Sequence, residues 1–300
     1  MTRKDGLLAL LVVIVWGINF VVIKVGLHQM PPLVLAGLRF VLVAFPALLF
    51  IRPPKVPFRL LLGYGLTISF GQFAFLFSAI KFGMPAGLAS LVLQAQAFFT
   101  IVLGAFIFNE RLQLKQGIGI ALAILGLLVL IEGSMAGASV TLTGFMLTLA
   151  GALCWAAGNI FNKKIMQLSP QPKVMSLVVW SALIPILPFF AASALLDGPA
   201  VIVASLRNID TTTILSLGYL AFVSTILGYG IWGTLLGRYE TWRVAPLSLL
   251  VPVFGIASAM LVLNESLSVM QASGALLIMA GLYINVFGLR RWVSVRRAKS

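Results

Sequence analysis

Ten long apolar runs dominate this chain, at roughly 6–26, 33–51, 60–80, 84–108, 115–132, 142–162, 174–196, 212–235, 243–263 and 270–289. Each approaches the ~20 residues that a helix needs to cross a bilayer. Lipid offers no water to a free N–H or C=O, so a spanning segment is a helix or part of a closed barrel. These runs are continuously apolar rather than alternating, which excludes the barrel. Turn chemistry separates them: Pro31-Pro32, Pro53-Pro54, Ser169-Pro170-Gln171-Pro172 and Asp197-Gly198-Pro199. The chain therefore reads as an all-α integral membrane protein of ten transmembrane helices with short connections.

Charge supports that count. Only 9% of residues are charged and 61% are hydrophobic, against about a quarter charged in soluble domains. Soluble enzymes, nucleic-acid binders and disordered chains are excluded on that ground. The net charge of +14 has another meaning. Of 21 Lys and Arg, 17 fall at the termini or in connections after even-numbered runs, Arg52, Arg111, Lys163, Lys173 and Arg290 among them. Lys81 and Arg207 alone occupy odd-numbered connections, and Lys24 and Arg39 lie within runs. This bias predicts both termini in the cytoplasm and leaves no need for a nucleic-acid partner. The N-terminus is basic, but its apolar run is too long for a signal peptide and lacks a small-x-small cleavage site, so a retained first helix is expected. One cysteine, Cys154, and one histidine, His28, build no disulfide and no metal site. No cofactor is expected.

The two halves echo each other. Trp16-Gly-Ile-Asn19 through Lys24 matches Trp155-Ala-Ala-Gly-Asn159 through Lys164, with one residue inserted. Asn109-Glu110-Arg111-Leu112 matches Asn264-Glu265-Ser266-Leu267, and Gly119, Gly126 and Gly133 recur 155 residues later as Gly274, Gly281 and Gly288. The halves divide as 1–138 and 139–300. Five spans per half is odd, so the second half enters the membrane from the opposite side. Such inverted repeats place a substrate site near the midplane. The glycines read as packing seams between helices.

These motifs carry a resemblance. Trp-x-x-Asn-Phe in the first run and Asn-Glu-x-Leu after the fourth and ninth resemble the EamA branch of the drug/metabolite transporter superfamily, over essentially the whole chain. Three longer strings, Met84–Thr100, Asn159–Met166 and Leu236–Pro252, resemble the amino-acid metabolite exporters of that branch. The resemblance implies a multi-pass inner-membrane exporter, with O-acetylserine and cysteine as cargo and alternating access between two five-helix repeats. The alternative is a same-fold exporter of aromatic amino acids, nucleotide-like or other small solutes.

Polar groups inside the runs name the candidate site, because each costs free energy in lipid. Trp16 and Asn19, and Trp155 and Asn159, share helix faces at repeat-equivalent places. Together they are expected to line one midplane site. Tyr229 and Trp232 share a face of the eighth run. Gln72, Gln94 and Gln96 offer uncharged amides, which suit the ammonium and carboxylate of a zwitterion. Gln94 and Gln96 are two apart, so only one faces the site squarely. Arg39 sits deep enough to attract a substrate carboxylate, whereas Lys24 is read as reaching the headgroups. Gly228-x-Gly230-x-x-Gly233 imitates a dinucleotide fingerprint but lacks the strand and sheet that motif requires. All seven acids fall at run ends or in loops. That disfavours a cationic substrate, and no nucleophile–base or Walker A motif suggests an enzyme. The expected partners are a small zwitterionic or neutral amino-acid metabolite and the lipid bilayer.

Overall fold

The computed structural model describes residues 1–136, 140–168 and 174–288. The boundary expected at 138/139, the turn at Ser169–Pro172, Lys173 and the C-terminal cations from Arg290 onward lie outside the described residues. Ten helices are long and apolar enough to cross a membrane, and they follow the expected runs closely. Spans one to five are Arg3–Gly26, Pro32–Leu49, Phe58–Lys81, Ala86–Phe108 and Leu114–Ser134. Spans six to ten are Leu142–Leu168, Val174–Leu196, Thr211–Arg238, Pro246–Leu263 and Val269–Phe287. No strand occurs among the described residues.

Several spans are not continuous α-helix. Span two breaks at Phe45-Pro46 and span seven between Ser181 and Ile186, where Pro46 and Pro185 withhold backbone donors. Span nine opens with a 3₁₀ stretch, Ala245–Leu250, that contains Pro246. Other breaks lack proline. Span three carries a π-helical stretch at Gly65–Gly71 and span eight another at Tyr219–Leu227. The 155-residue shift that relates the halves carries 65–71 onto 220–226. Span four breaks after Val92 and resumes as Ala95–Phe108, and span nine resumes as Val251–Leu263. Both end in a left-handed asparagine, Asn109 at φ 52° and Asn264 at φ 53°. The repeat seen in the letters is thus also present in the irregularities of the helices.

Packing follows the same exchange. Span one lies on spans eight and nine, and span six lies on spans three and four. Spans two and seven, four and nine, and five and ten pack on each other directly. Exchanging the halves maps this set of contacts onto itself, as an isologous interface does. The glycines show why. A Cβ on Gly126 would lie 2.8 Å from the Gly274 carbonyl, and one on Gly274 would lie 2.7 Å from the Gly126 carbonyl. Gly119 and Gly281 clash reciprocally in the same way, at 2.8 and 2.6 Å. Spans five and ten therefore run antiparallel with their backbones in contact, as the seam reading expected.

Replacing Gly281 by Ala should push these two spans apart and cost about 1–3 kcal/mol, the usual range for overpacking. Gly117, near the start of span five, stands in open space. There Gly→Ala should be neutral or stabilising by up to about 1 kcal/mol through helix propensity. Thermal unfolding of the two variants in detergent checks the contrast.

Candidate substrate site

Arg39 lies in the middle of span two and is 2% exposed. Its Nη2 donates to Thr225 Oγ1 at 2.8 Å and its Nε to the same oxygen at 3.3 Å. Thr225 is free to accept because its own hydroxyl donates to the Leu220 carbonyl at 2.8 Å, a five-residue reach that the π-helical turn creates. The guanidinium carbon sits 4.3 Å from the centre of the Phe73 ring, a cation–π geometry. Arg39 Nη1 is buried with no hydrogen-bond partner. No carboxylate pairs with this cation among the described residues. An unmet donor on a buried charge is costly, so it calls for an explanation.

Arg39 lines a cavity of about 30 Å³ with Tyr64, Ser69, Phe73, Ser181, Thr225 and Tyr229. That volume is room for one water but not for an amino acid. Its walls come from spans two, three, seven and eight, the second and third span of each half. Both π stretches reach it, through Ser69 and Thr225. Single π turns inside α-helices recur at functional sites.

Six of the other expected residues form two flanking groups, and Gln72, Gln94 and Trp155 join neither. In the first, Asn19 is buried and its Oδ1 accepts from Ser224 Oγ at 2.8 Å. Trp16 Nε1 donates to the Ser224 carbonyl at 3.0 Å. The Trp16 ring lies 5.2 Å from Tyr229 and 5.1 Å from Trp232. Gly228 makes room: a Cβ there would stand 2.7 Å from Trp16 Nε1. Gly233 likewise lets Val174 approach, at 2.9 Å from where its Cβ would be, so these two glycines of span eight serve packing. In the second group, Asn159 Nδ2 donates to Gln96 Oε1 at 2.9 Å and to Thr100 Oγ1 at 3.1 Å. Gln96, not Gln94, is the amide engaged there. Gln94 instead sits at the break in span four, where it precedes Ala95 as a helix cap.

Among the described residues no hydrogen bond or ring contact joins Asn19 to Asn159. Trp155 is partly buried against the core with no such link to Asn159. Gln72 is buried on span three, where its carbonyl faces Gly151 of span six. Lys24 does not reach for headgroups: its Nζ is 2.8 Å from Glu265 Oε1. Sequence reasoning missed Tyr64, Ser69, Ser224, Thr225 and Thr100. Ser and Thr are too common in spans to signal a site. The π turns that present Ser69 and Thr225 leave no periodic mark in the letters.

The arrangement offers hydrogen-bond donors, aromatic walls and one buried cation. It has no nucleophile with a base. No group of three or more metal-ligating side chains occurs among the described residues. This is binding chemistry.

Known proteins agree with that character. The EamA-like transporter family matches residues 5–132 and again 142–287. The chain is 76% identical over 290 residues to a protein of Salmonella typhimurium strain LT2 named as a probable amino-acid metabolite efflux pump, covering 97% of each. It is 75% identical, with the same coverage, to a protein of that name from Escherichia coli K12. A solved crystal structure superposes with a TM-score of 0.64 at 19% identity, covering 97% of this chain and 99% of the other, and so shares the fold. Ten membrane-length helices, two family matches in tandem and two relatives at 76% and 75% identity make this chain a member of the EamA-like transporter family.

Proposed function

We propose that the protein exports small amino-acid metabolites across the bacterial inner membrane, O-acetylserine and cysteine first among them. In this reading both termini face the cytoplasm, the halves 1–138 and 139–300 are inverted repeats, and access alternates about an axis in the membrane plane. The observation that carries it is the free Nη1 of Arg39, a residue lining a cavity walled by the same two spans from each half. A carboxylate is the ligand that would satisfy a buried guanidinium. A phosphate gathers more cations than one, which disfavours nucleotide-like cargo. The names of the two close relatives support the same cargo class. The cavity here is too small for cargo, so it corresponds to a closed state. Opening would bring in the flanking amides and aromatics: Asn19 with Trp16, Tyr229 and Trp232 on one side, Asn159 with Gln96 on the other.

Cells overproducing the protein should excrete O-acetylserine and cysteine. Arg39→Gln should raise the apparent KM for either at least about tenfold, the equivalent of ~1.4 kcal/mol, at unchanged abundance in the membrane. Arg39→Lys should fall between, because an ammonium keeps the charge but loses the planar fork. Excretion by Arg39→Gln equal to the parent at equal abundance would remove the carboxylate anchor.

A further inference from the structure

The repeat contains a second set of charged residues that the Arg39 site does not use. Lys24 closes the Trp16 motif, and the neighbouring lysines Lys163 and Lys164 close the Trp155 motif. Glu110 and Glu265 each follow the left-handed asparagine that ends its span. The structure pairs them across the halves: Lys24 with Glu265, and Lys163 with Glu110. Exchanging the halves exchanges the two pairs, so they are mates at opposite ends of the spans.

Their surroundings differ. The Glu265 side chain is 15% exposed and also accepts from the backbone N–H of Ala86 at 2.8 Å and of Gly87 at 2.9 Å. Ile23, Met84 and Leu88 are fully buried around this end. Glu110 is 52% exposed and Lys163 41%. Beside them opens a cavity of about 310 Å³, lined also by Arg111, Gln113, Gln116 and Asn159. Gly104 leaves space for the carboxylate, since a Cβ there would lie 3.1 Å from Glu110 Oε2. At the cavity wall Asn159 holds Gln96 and Thr100, so the pocket leads toward the interior of span four.

Building on the amino-acid reading above, we propose that Glu110 and Lys163 form a loading site for a zwitterionic amino acid on the side of the termini. The cargo ammonium takes the place of Lys163 on Glu110. The cargo carboxylate takes the place of Glu110 on Lys163, with Arg111 beside it. The exchange keeps every charge paired. An exposed ion pair contributes little stability, so this one yields easily. Lys163 also keeps its 4.5 Å contact with the Phe108 ring when Glu110 lets go. The mate pair, with two additional backbone donors, holds the far end shut. A cargo lacking either charge breaks the pair but gains only one ion pair in return, where a zwitterion gains two. The pair therefore selects zwitterions over simple anions and amines.

The test uses the full-length protein in proteoliposomes, with labelled cysteine as cargo and unlabelled cysteine and N-acetylcysteine as competitors. In the parent, N-acetylcysteine should compete at least about tenfold more weakly than cysteine, one decade of affinity. In Glu110→Gln that discrimination should collapse to within about threefold, because neither competitor then finds an anion. A merely structural Glu110 would weaken both competitors equally and preserve their ratio. In Lys163→Met the corresponding discrimination between cysteine and its methyl ester should shrink instead, down to what the Arg39 anchor supplies. A preserved ratio in both variants, at parental abundance, overturns the loading site and leaves the export reading intact. A parent protein that moves no zwitterion of a broad panel overturns the export reading and the loading site together.

Discussion

A bilayer offers no water to a backbone amide released from its helix, so every irregular turn within a span must be sheltered by protein. That constraint organises this molecule. Its non-α segments fall at the proline breaks of spans two and seven, the π turns of spans three and eight and the breaks of spans four and nine. The last two sets are related by the shift between the halves. The polar side chains gather at the same places. Thr225 reaches Arg39 from one π turn, and Gln96 meets Asn159 just past the break in span four. What lipid forbids at the surface, the interior uses to build a site.

Exchange symmetry then supplies the rest. Backbones touch reciprocally at Gly119–Gly281 and Gly126–Gly274, so neither half can shift along that seam without the other. Two ion pairs cross between the halves, one at each end. The lysines are equally exposed, but Glu265 is capped by two backbone donors and mostly covered, while Glu110 stands open beside a pocket. Two equivalent ends in unequal states are what a two-state carrier requires. If the halves are equivalent, the opposite inequality is a second arrangement of the same contacts. An exporter needs both, and its cargo has only to bias the choice by binding one end better.

Much of this was legible in the letters. Hydropathy gave the ends of the spans to within three residues, except that span six runs on from 162 to 168, because apolar length is the bilayer's own requirement. The Asn-Glu motifs and glycine triplets gave the repeat, and Arg39 stood out by its charge. Other features were hidden for physical reasons. A π turn alters hydrogen-bond register without altering composition, so Ser69 and Thr225 looked like ordinary span residues. Lys24 near a span end has the position of a side chain that reaches the headgroups. Only its meeting with Glu265, 241 residues away, shows otherwise. Asn19 and Asn159 occupy equivalent places as read, yet each is held by its own neighbours, Ser224 for one and Gln96 for the other.

The central claim is that the two ends exchange states when cargo binds. Spin-label distances in nanodiscs, with Cys154 replaced by serine, address it most directly. One label pair belongs at His28 and Ser266, beside the Lys24–Glu265 end. The other belongs at Gln167 and Leu112, beside Lys163–Glu110. All four positions are exposed. On saturation with cysteine, a population should appear in which the first distance lengthens while the second shortens. Distributions that stay unchanged at both ends, or that lengthen together, would contradict an exchange between equivalent gates.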